Sequence, residues 1–135
     1  MAKSAIYTAN LASQTVAVNG VVNPGTVIRR FGNNICLSGN AITIAGEGYY
    51  DIDASFTVSP TAVGTVTISV YKDNVAIPGA TASEAVSAVS TPVNLSISAL
   101  IREVYPCCEA VSNLTFVLSG VPANITNSAI VIEKI

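Results

Sequence analysis

Histidine and tryptophan are absent from this chain of 135 residues, and charged residues make up only 10% of it. Without histidine the chain lacks the commonest general base and the commonest transition-metal ligand. A Ser-His-Asp triad is excluded for the same reason. We therefore predict a protein that is not an enzyme, with no catalytic residue, no cofactor and no metal site.

Basic residues are also scarce, six against eight acidic ones, for a net charge of −2. Nucleic-acid binding needs clustered Lys and Arg, and the one adjacent pair is Arg29-Arg30. Apolar residues make up 50% of the chain, yet no run approaches the ~20 residues of a membrane helix. We predict neither nucleic acid nor membrane as a partner, and expect the surplus apolar surface to lie in a subunit interface.

The three cysteines, Cys36, Cys107 and Cys108, are an odd number, unlike the even set of a secreted disulfide framework. The adjacent pair is open to three interpretations: ordinary loop thiols, a metal or redox site with Glu109, or pairing with Cys36 or another subunit. The N-terminus lacks the apolar core of a signal peptide. The expectation is synthesis in a cytoplasm without general secretory export.

The clearest pattern in the chain is the stretch from Gly46 to Ser59. Its apolar residues share one parity and its polar residues, with Asp51 and Asp53, share the other. Successive side chains of a strand point to opposite faces, so this is predicted to be one long strand with an apolar and a polar face. Gly46 and Gly48 suit a tight turn before it.

Shorter alternating stretches separated by turn residues occur along the rest of the chain, with no confident helix. We predict about ten short strands in an all-β jelly-roll sandwich that spans residues 1–135 as a single domain. Val75–Ile77 is expected to be a short returning strand, and 80–89 a strand or loop. The last strand, 128–135, is apolar on both parities, so one face is expected in the core and the other against a partner.

Three features resemble the trimeric superfamily of complement globular heads and tumour-necrosis-factor-like jelly rolls. They are Gly48-Tyr49-Tyr50 with the alternation after it, the hairpin from Val70 to Gly79, and the apolar final strand. The chain also resembles small phage-encoded proteins of Gram-positive bacteria and the head of collagen-like exosporium glycoproteins. No collagen-like stalk is present in this sequence.

The resemblance implies a homotrimer with the Gly-x-Tyr strand and the last strand near the three-fold axis. It implies a structural, decoration or host-attachment role on a virion or a bacterial or spore surface, with a capsid or tail component as a further partner. An ion pair between subunits, from Arg29 or Arg30 to the two aspartates, fits the sequence. The predicted trimer interface comprises Tyr50, Ile130, Val131, Ile132, Arg30, Asp51 and Asp53.

Two alternatives remain at this point. The first is a fibre head that binds a glycan or receptor through distal loops 31–40, 72–80 and 101–112. Tyr71 and Tyr105 are the candidates for stacking on a sugar. The second is a small hydrolase, or a Ca²⁺ site, built on Asp51 and Asp53, which lie about 7 Å apart on one face of a strand.

Overall fold

The computed structural model describes residues 3–104 and 111–135, and eleven strands with no helix run through them. No described element is a helix that could span a bilayer. Sheet I contains β1 (Ala5–Asn10), β2 (Gln14–Val16), β3 (Thr26–Phe31), β6 (Gly48–Pro60), β9 (Val93–Glu103) and β11 (Ala123–Lys134). Sheet II contains β4 (Ile35–Ser38), β5 (Ala41–Ala45), β7 (Gly64–Lys72), β8 (Val75–Val86) and β10 (Val111–Ser119).

The strand order is that of a jelly roll, which confirms the predicted fold class. Sheet I runs β3-β1-β11-β6-β9, with β2 beside β11, and sheet II runs β4-β5-β10-β7-β8; neighbouring strands of the described residues are antiparallel. The long strand β6 lies between β11 and β9, so it is central to sheet I as predicted.

The hydrophobic core fills the space between the two sheets. Phe56 of β6 and Phe116 of β10 meet there with ring centroids 5.6 Å apart and planes tilted by 56°. The apolar parity of β6, from Tyr50 to Val58, is buried along its whole length. Tilted aromatic pairs of this kind add to the stability given by burial itself.

Strand β8 differs from the prediction, because the short strand at Val75 continues to Val86. Its register against β7 shifts between Ser69 and Tyr71, where Pro78 and Gly79 fall within the irregularity. Proline cannot donate a ladder hydrogen bond, and Gly79 has a φ of 79°. The two residues interrupt the pairing without ending the strand, which resumes beyond them.

Both described ends of the chain lie at one end of the sandwich. The Lys134 amide donates to the Ser4 carbonyl (2.8 Å), and the Ile135 amide donates to the Tyr49 carbonyl (2.9 Å). The first residue of β6, Gly48, is paired with the last residue of β9, Glu103, at the same end. A tether joined at either of these ends would leave the sandwich here.

Candidate assembly surface

The outer face of sheet I carries a row of side chains that crosses five strands. Register pairs link Arg29 of β3 to Tyr7 of β1, Tyr7 to Val131 of β11, Val131 to Asp53 of β6, and Asp53 to Ser98 of β9. Directly paired residues of an antiparallel sheet project from the same face. The row therefore has a cation at one edge, an apolar centre and a carboxylate toward the other edge.

Three carboxylates gather on the acidic side of this face. Glu133 of β11 is paired directly with Asp51 of β6, and Asp53 lies two residues farther along the same strand. Like charges that face each other across a strand pair are destabilising. The Ser98 hydroxyl donates to Asp53 Oδ1 at 2.7 Å, and the described residues form no salt bridge with any of the three carboxylates.

A shallow trough of about 320 Å³ runs along the same face beside Asp53. Most of the residues that line it are small, so neighbouring side chains leave a depression over the sheet. The lining comprises Asp53, Ala54, Ser55, Ser96, Ile97, Ser98, Ala129 and Val131. One end of the trough is charged and its walls are mainly short or apolar.

Apolar side chains are exposed around the trough. Val131 is 38% exposed, Leu100 is 58% exposed and Phe31 is 59% exposed. Phe31 is paired with Ala5, and Leu100 with Asp51, which places them on this same outer face. Phe31 and Leu100 lie at the two ends of a row that also contains Glu133 and Asp51, so this face exposes apolar and acidic side chains together.

The outer face of sheet II has a different chemistry. Thr67 is paired with Ser83, and Ser69 with Thr81, so hydroxyls line this face across β7 and β8. The Ser69 and Thr81 hydroxyls lie 2.9 Å apart and share a hydrogen bond. A hydroxyl-rich surface is well hydrated without charge, so the two faces of the sandwich are chemically distinct.

Three members of the predicted interface lie inside the sandwich instead. Tyr50, Ile130 and Ile132 have no exposed area in a single chain, so they offer no surface to a partner. Tyr50 and Asp51 have opposite parity on β6, and only one of the two parities faces outward. The prediction for these three residues is therefore corrected, while Val131, Asp51 and Asp53 do lie on the outer face.

Tyr50 has a different role, because it closes a polar cluster at the end of the core. Its hydroxyl donates to the Gly46 carbonyl at 2.8 Å. Asn34 Nδ2 donates to the Ala45 carbonyl at 2.6 Å, and the Ser4 hydroxyl donates to Asn34 Oδ1 at 2.8 Å. Gly46 has a φ of 104°, and a Cβ there would clash with the Asn34 amide. The glycine predicted to make a tight turn also makes room for this buried amide.

Arg30 does not share a face with the two aspartates. It is paired with the buried Ile6, and its Nε donates to the Ile35 carbonyl at 2.7 Å. Its guanidinium also lies 3.0 Å from Cys36 Sγ. Arg29, the neighbour with opposite parity, is the arginine on the outer face. Strand parity separates the two arginines in the sequence, but only the register with β1 shows which one points outward.

Parts of the three predicted ligand loops lie at the same end of the sandwich as the described chain ends. The turn 32–34, the hairpin turn 73–74 and Val104 lie at the end of the sandwich that holds Ser4 and Ile135. These segments therefore lie close together at one end of the sandwich. Tyr71 is half-buried on β7, and Tyr105 lies outside the described residues.

A cleft of about 470 Å³ lies between two of these loops. It separates the β7–β8 hairpin from the end of β9, with Lys72 and Arg102 among its polar residues and Val75, Pro78 and Leu100 among its apolar ones. Lys72 Nζ donates to the Arg102 carbonyl at 3.1 Å. The Arg102 guanidinium carbon lies 5.9 Å from the centre of the Tyr49 ring. The cleft therefore has apolar walls and carries the acidic Asp73 beside the basic Lys72 and Arg102.

The described residues hold no cluster of three or more acidic or thiol side chains arranged to bind a metal ion. Cys36 is a free thiol of intermediate exposure. The predictions for Cys107 and Cys108 lie outside the described residues.

The two-sheet sandwich and its strand order define a jelly roll, the fold of solved tumour-necrosis-factor-like and complement globular-head structures. No protein-family model matches the sequence, and a search of curated proteins finds no relative. Solved structures do match over nearly the whole chain. Their low sequence identities mean that they show the fold alone.

Three of these structures are representative. Murine APRIL aligns with a TM-score of 0.74 at 8% identity, over 98% of this chain and 99% of that one. The PRD1 vertex protein P5 aligns with a TM-score of 0.66 at 19% identity, over 98% and 96%. The globular domain of zebrafish complement 1qA protein aligns with a TM-score of 0.70 at 8% identity, over 95% and 94%.

Proposed function

We propose that the chain is a non-enzymatic structural or decoration module that assembles as a homotrimer on a virion or on a bacterial or spore surface. The observation that carries the proposal is the outer face of sheet I. Its centre is small and apolar, its carboxylates have no salt-bridge partner among the described residues, and exposed Leu100 and Phe31 lie at its edges. A second copy would cover this surface.

The similarity to other jelly rolls supports the same proposal. The fold is shared with complement and tumour-necrosis-factor-like heads, and one structure with this fold is a vertex protein of PRD1. The scarcity of charge in the sequence is consistent with a protein that buries one of its faces. Host attachment would follow from display on such a particle.

The test of assembly is the native mass of the purified chain, measured by light scattering on a sizing column. We expect about three times 13.8 kDa. A monomer at micromolar concentration would contradict the proposal, because the outer face of sheet I would then be stable in water without a partner. Immunogold labelling of purified particles then tests display on a surface.

A second candidate function is glycan or receptor binding in the cleft between the β7–β8 hairpin and β9. The observation that favours it is the combination of Lys72 and Arg102 with an apolar wall that includes Val75. An acidic sugar would pair with the cations and pack against the wall. Glycan-array binding by the native chain, lost in Val75→Asp, is the expected result. An array without signal would contradict glycan binding by this cleft.

A further inference from the structure

We propose that the trough on the outer face of sheet I receives the Arg29 side chain of a second copy, whose guanidinium binds Asp53. The inference rests on the proposed homotrimer and assigns the residues that hold it together. Both partners are exposed in the single chain, and they lie in one row of the same face.

The shape of the trough fits a long, thin side chain. Its volume of about 320 Å³ exceeds what one arginine needs, and Ala129 and Val131 provide an apolar wall for the methylene stem. Arginine commonly buries its stem along apolar surface while its charged group reaches a polar partner. Asp53 lies at the trough, where the guanidinium would arrive.

Charge complementarity favours a cation at this position. The Ser98 hydroxyl donates to Asp53 Oδ1, and among the described residues no hydrogen bond reaches Asp53 Oδ2. Asp51 and Glu133 add negative charge on the same face. Arg29 in turn makes no side-chain hydrogen bond or salt bridge with the described residues of its own chain. A planar guanidinium matches a carboxylate better than an ammonium group does.

The strand register supports Arg29 as the residue that meets Asp53 of the next copy when the copies form a ring. Arg29 and Asp53 belong to one row across the strands, so they lie at the same height along the strand direction. A rotation about an axis parallel to the strands preserves height. Such a ring moves the β3 edge of one copy toward the β9 and β6 side of the next, which places Arg29 opposite Ser98 and Asp53. Ser98 is short enough to let the arginine pass.

The experiment is a double-mutant cycle on trimer dissociation, followed by mass photometry on dilution. Arg29→Met keeps the stem and removes the charge, while Asp53→Asn keeps the shape and the bond to Ser98. Each single variant is expected to weaken association on the order of tenfold to a thousandfold. The double variant should be no weaker than the weaker single variant, because both changes remove the same interaction.

Arg30→Met is the matched control, since it removes the same charge from the neighbouring position on the opposite face. It should lower the unfolding midpoint through its lost bond to Ile35 while the dissociation constant stays within about twofold. Additive losses in the cycle, or an Arg29→Met trimer as tight as the native one, would overturn the assignment and leave the homotrimer intact. A monomeric native chain would overturn both.

Discussion

Asn34 provides the sharpest test of how the end of the sandwich is held. It is almost fully buried, and its side chain accepts from the Ser4 hydroxyl at 2.8 Å and donates to the Ala45 carbonyl at 2.6 Å. Its backbone also pairs with Ala45, where the Ala45 amide donates to the Asn34 carbonyl at 2.7 Å. Asn34→Ala would remove both side-chain bonds while it leaves the backbone bond in place.

The expected loss follows from the number of bonds. Each net hydrogen bond contributes about 1 kcal/mol, and a buried group left without a partner costs about 1–3 kcal/mol. The Ala45 carbonyl retains a long hydrogen bond from the Tyr50 hydroxyl (3.3 Å), which reduces the cost of losing the Asn34 amide as its partner. We therefore expect Asn34→Ala to lower the free energy of unfolding by about 2–4 kcal/mol.

Urea unfolding at one fixed protein concentration measures this loss, with the exposed neighbour Asn33→Ala as the control. The control should stay within about 0.5 kcal/mol of the native chain. A loss below about 1 kcal/mol in Asn34→Ala would refute the reasoning. It would mean that water replaces the amide at both partners, and that this end of the core is open to solvent.

Two further predictions concern the core and the turns. Phe56→Ala removes one ring of the Phe56–Phe116 pair and should lower the free energy of unfolding in urea by about 3–5 kcal/mol. Leu11→Ala, at a site 81% exposed, should lower it by less than about 0.5 kcal/mol. Equal losses would contradict the placement of the core. Gly120→Ala should lower the thermal midpoint far more than Gly39→Ala: both positions have positive φ, but a Cβ at Gly120 meets the Thr65 carbonyl and one at Gly39 meets open space. Similar midpoints would show that the backbone at Gly120 shifts freely.

The part of the fold that the sequence predicts depends on the local pattern of apolar and polar residues along each strand. The alternation in β6 predicts which of its residues are buried, and the apolar residues at both odd and even positions predict the last strand. Both patterns depend only on neighbours along the chain. The continuation of β8 beyond Pro78 was not predictable in this way. Its pairing with β7 holds the strand across the interruption, and that pairing is a tertiary contact.

The candidate site was predictable only in part for the same reason. Alternation divides the side chains of β6 into two faces. The predicted interface included both Tyr50 and Asp53, which lie on opposite faces, and the face with Tyr50 is buried in the core. Likewise, the opposite faces of Arg29 and Arg30 follow from parity, but the choice of Arg29 needs the register with Tyr7. Ser98 and Ala129 carry no signal of their own, because small residues become a trough only when three strands lie side by side.

The chemistry of the two outer faces indicates which one an assembly would turn inward. Burial of the sheet II face would take the hydroxyls of Thr67 and Ser83 out of water, and each would need a new partner. Burial of the sheet I face would cover Val131 and other small or apolar side chains, and in the proposed trimer it would bring Arg29 of the next copy to Asp53. In the proposed trimer the second arrangement would pair Asp53, which has no salt bridge among the described residues, with Arg29 of the next copy, and this pairing would offset the loss of hydration of its carboxylate. For the proposed trimer we therefore expect sheet I to face inward and the hydroxyl-rich sheet II to face outward.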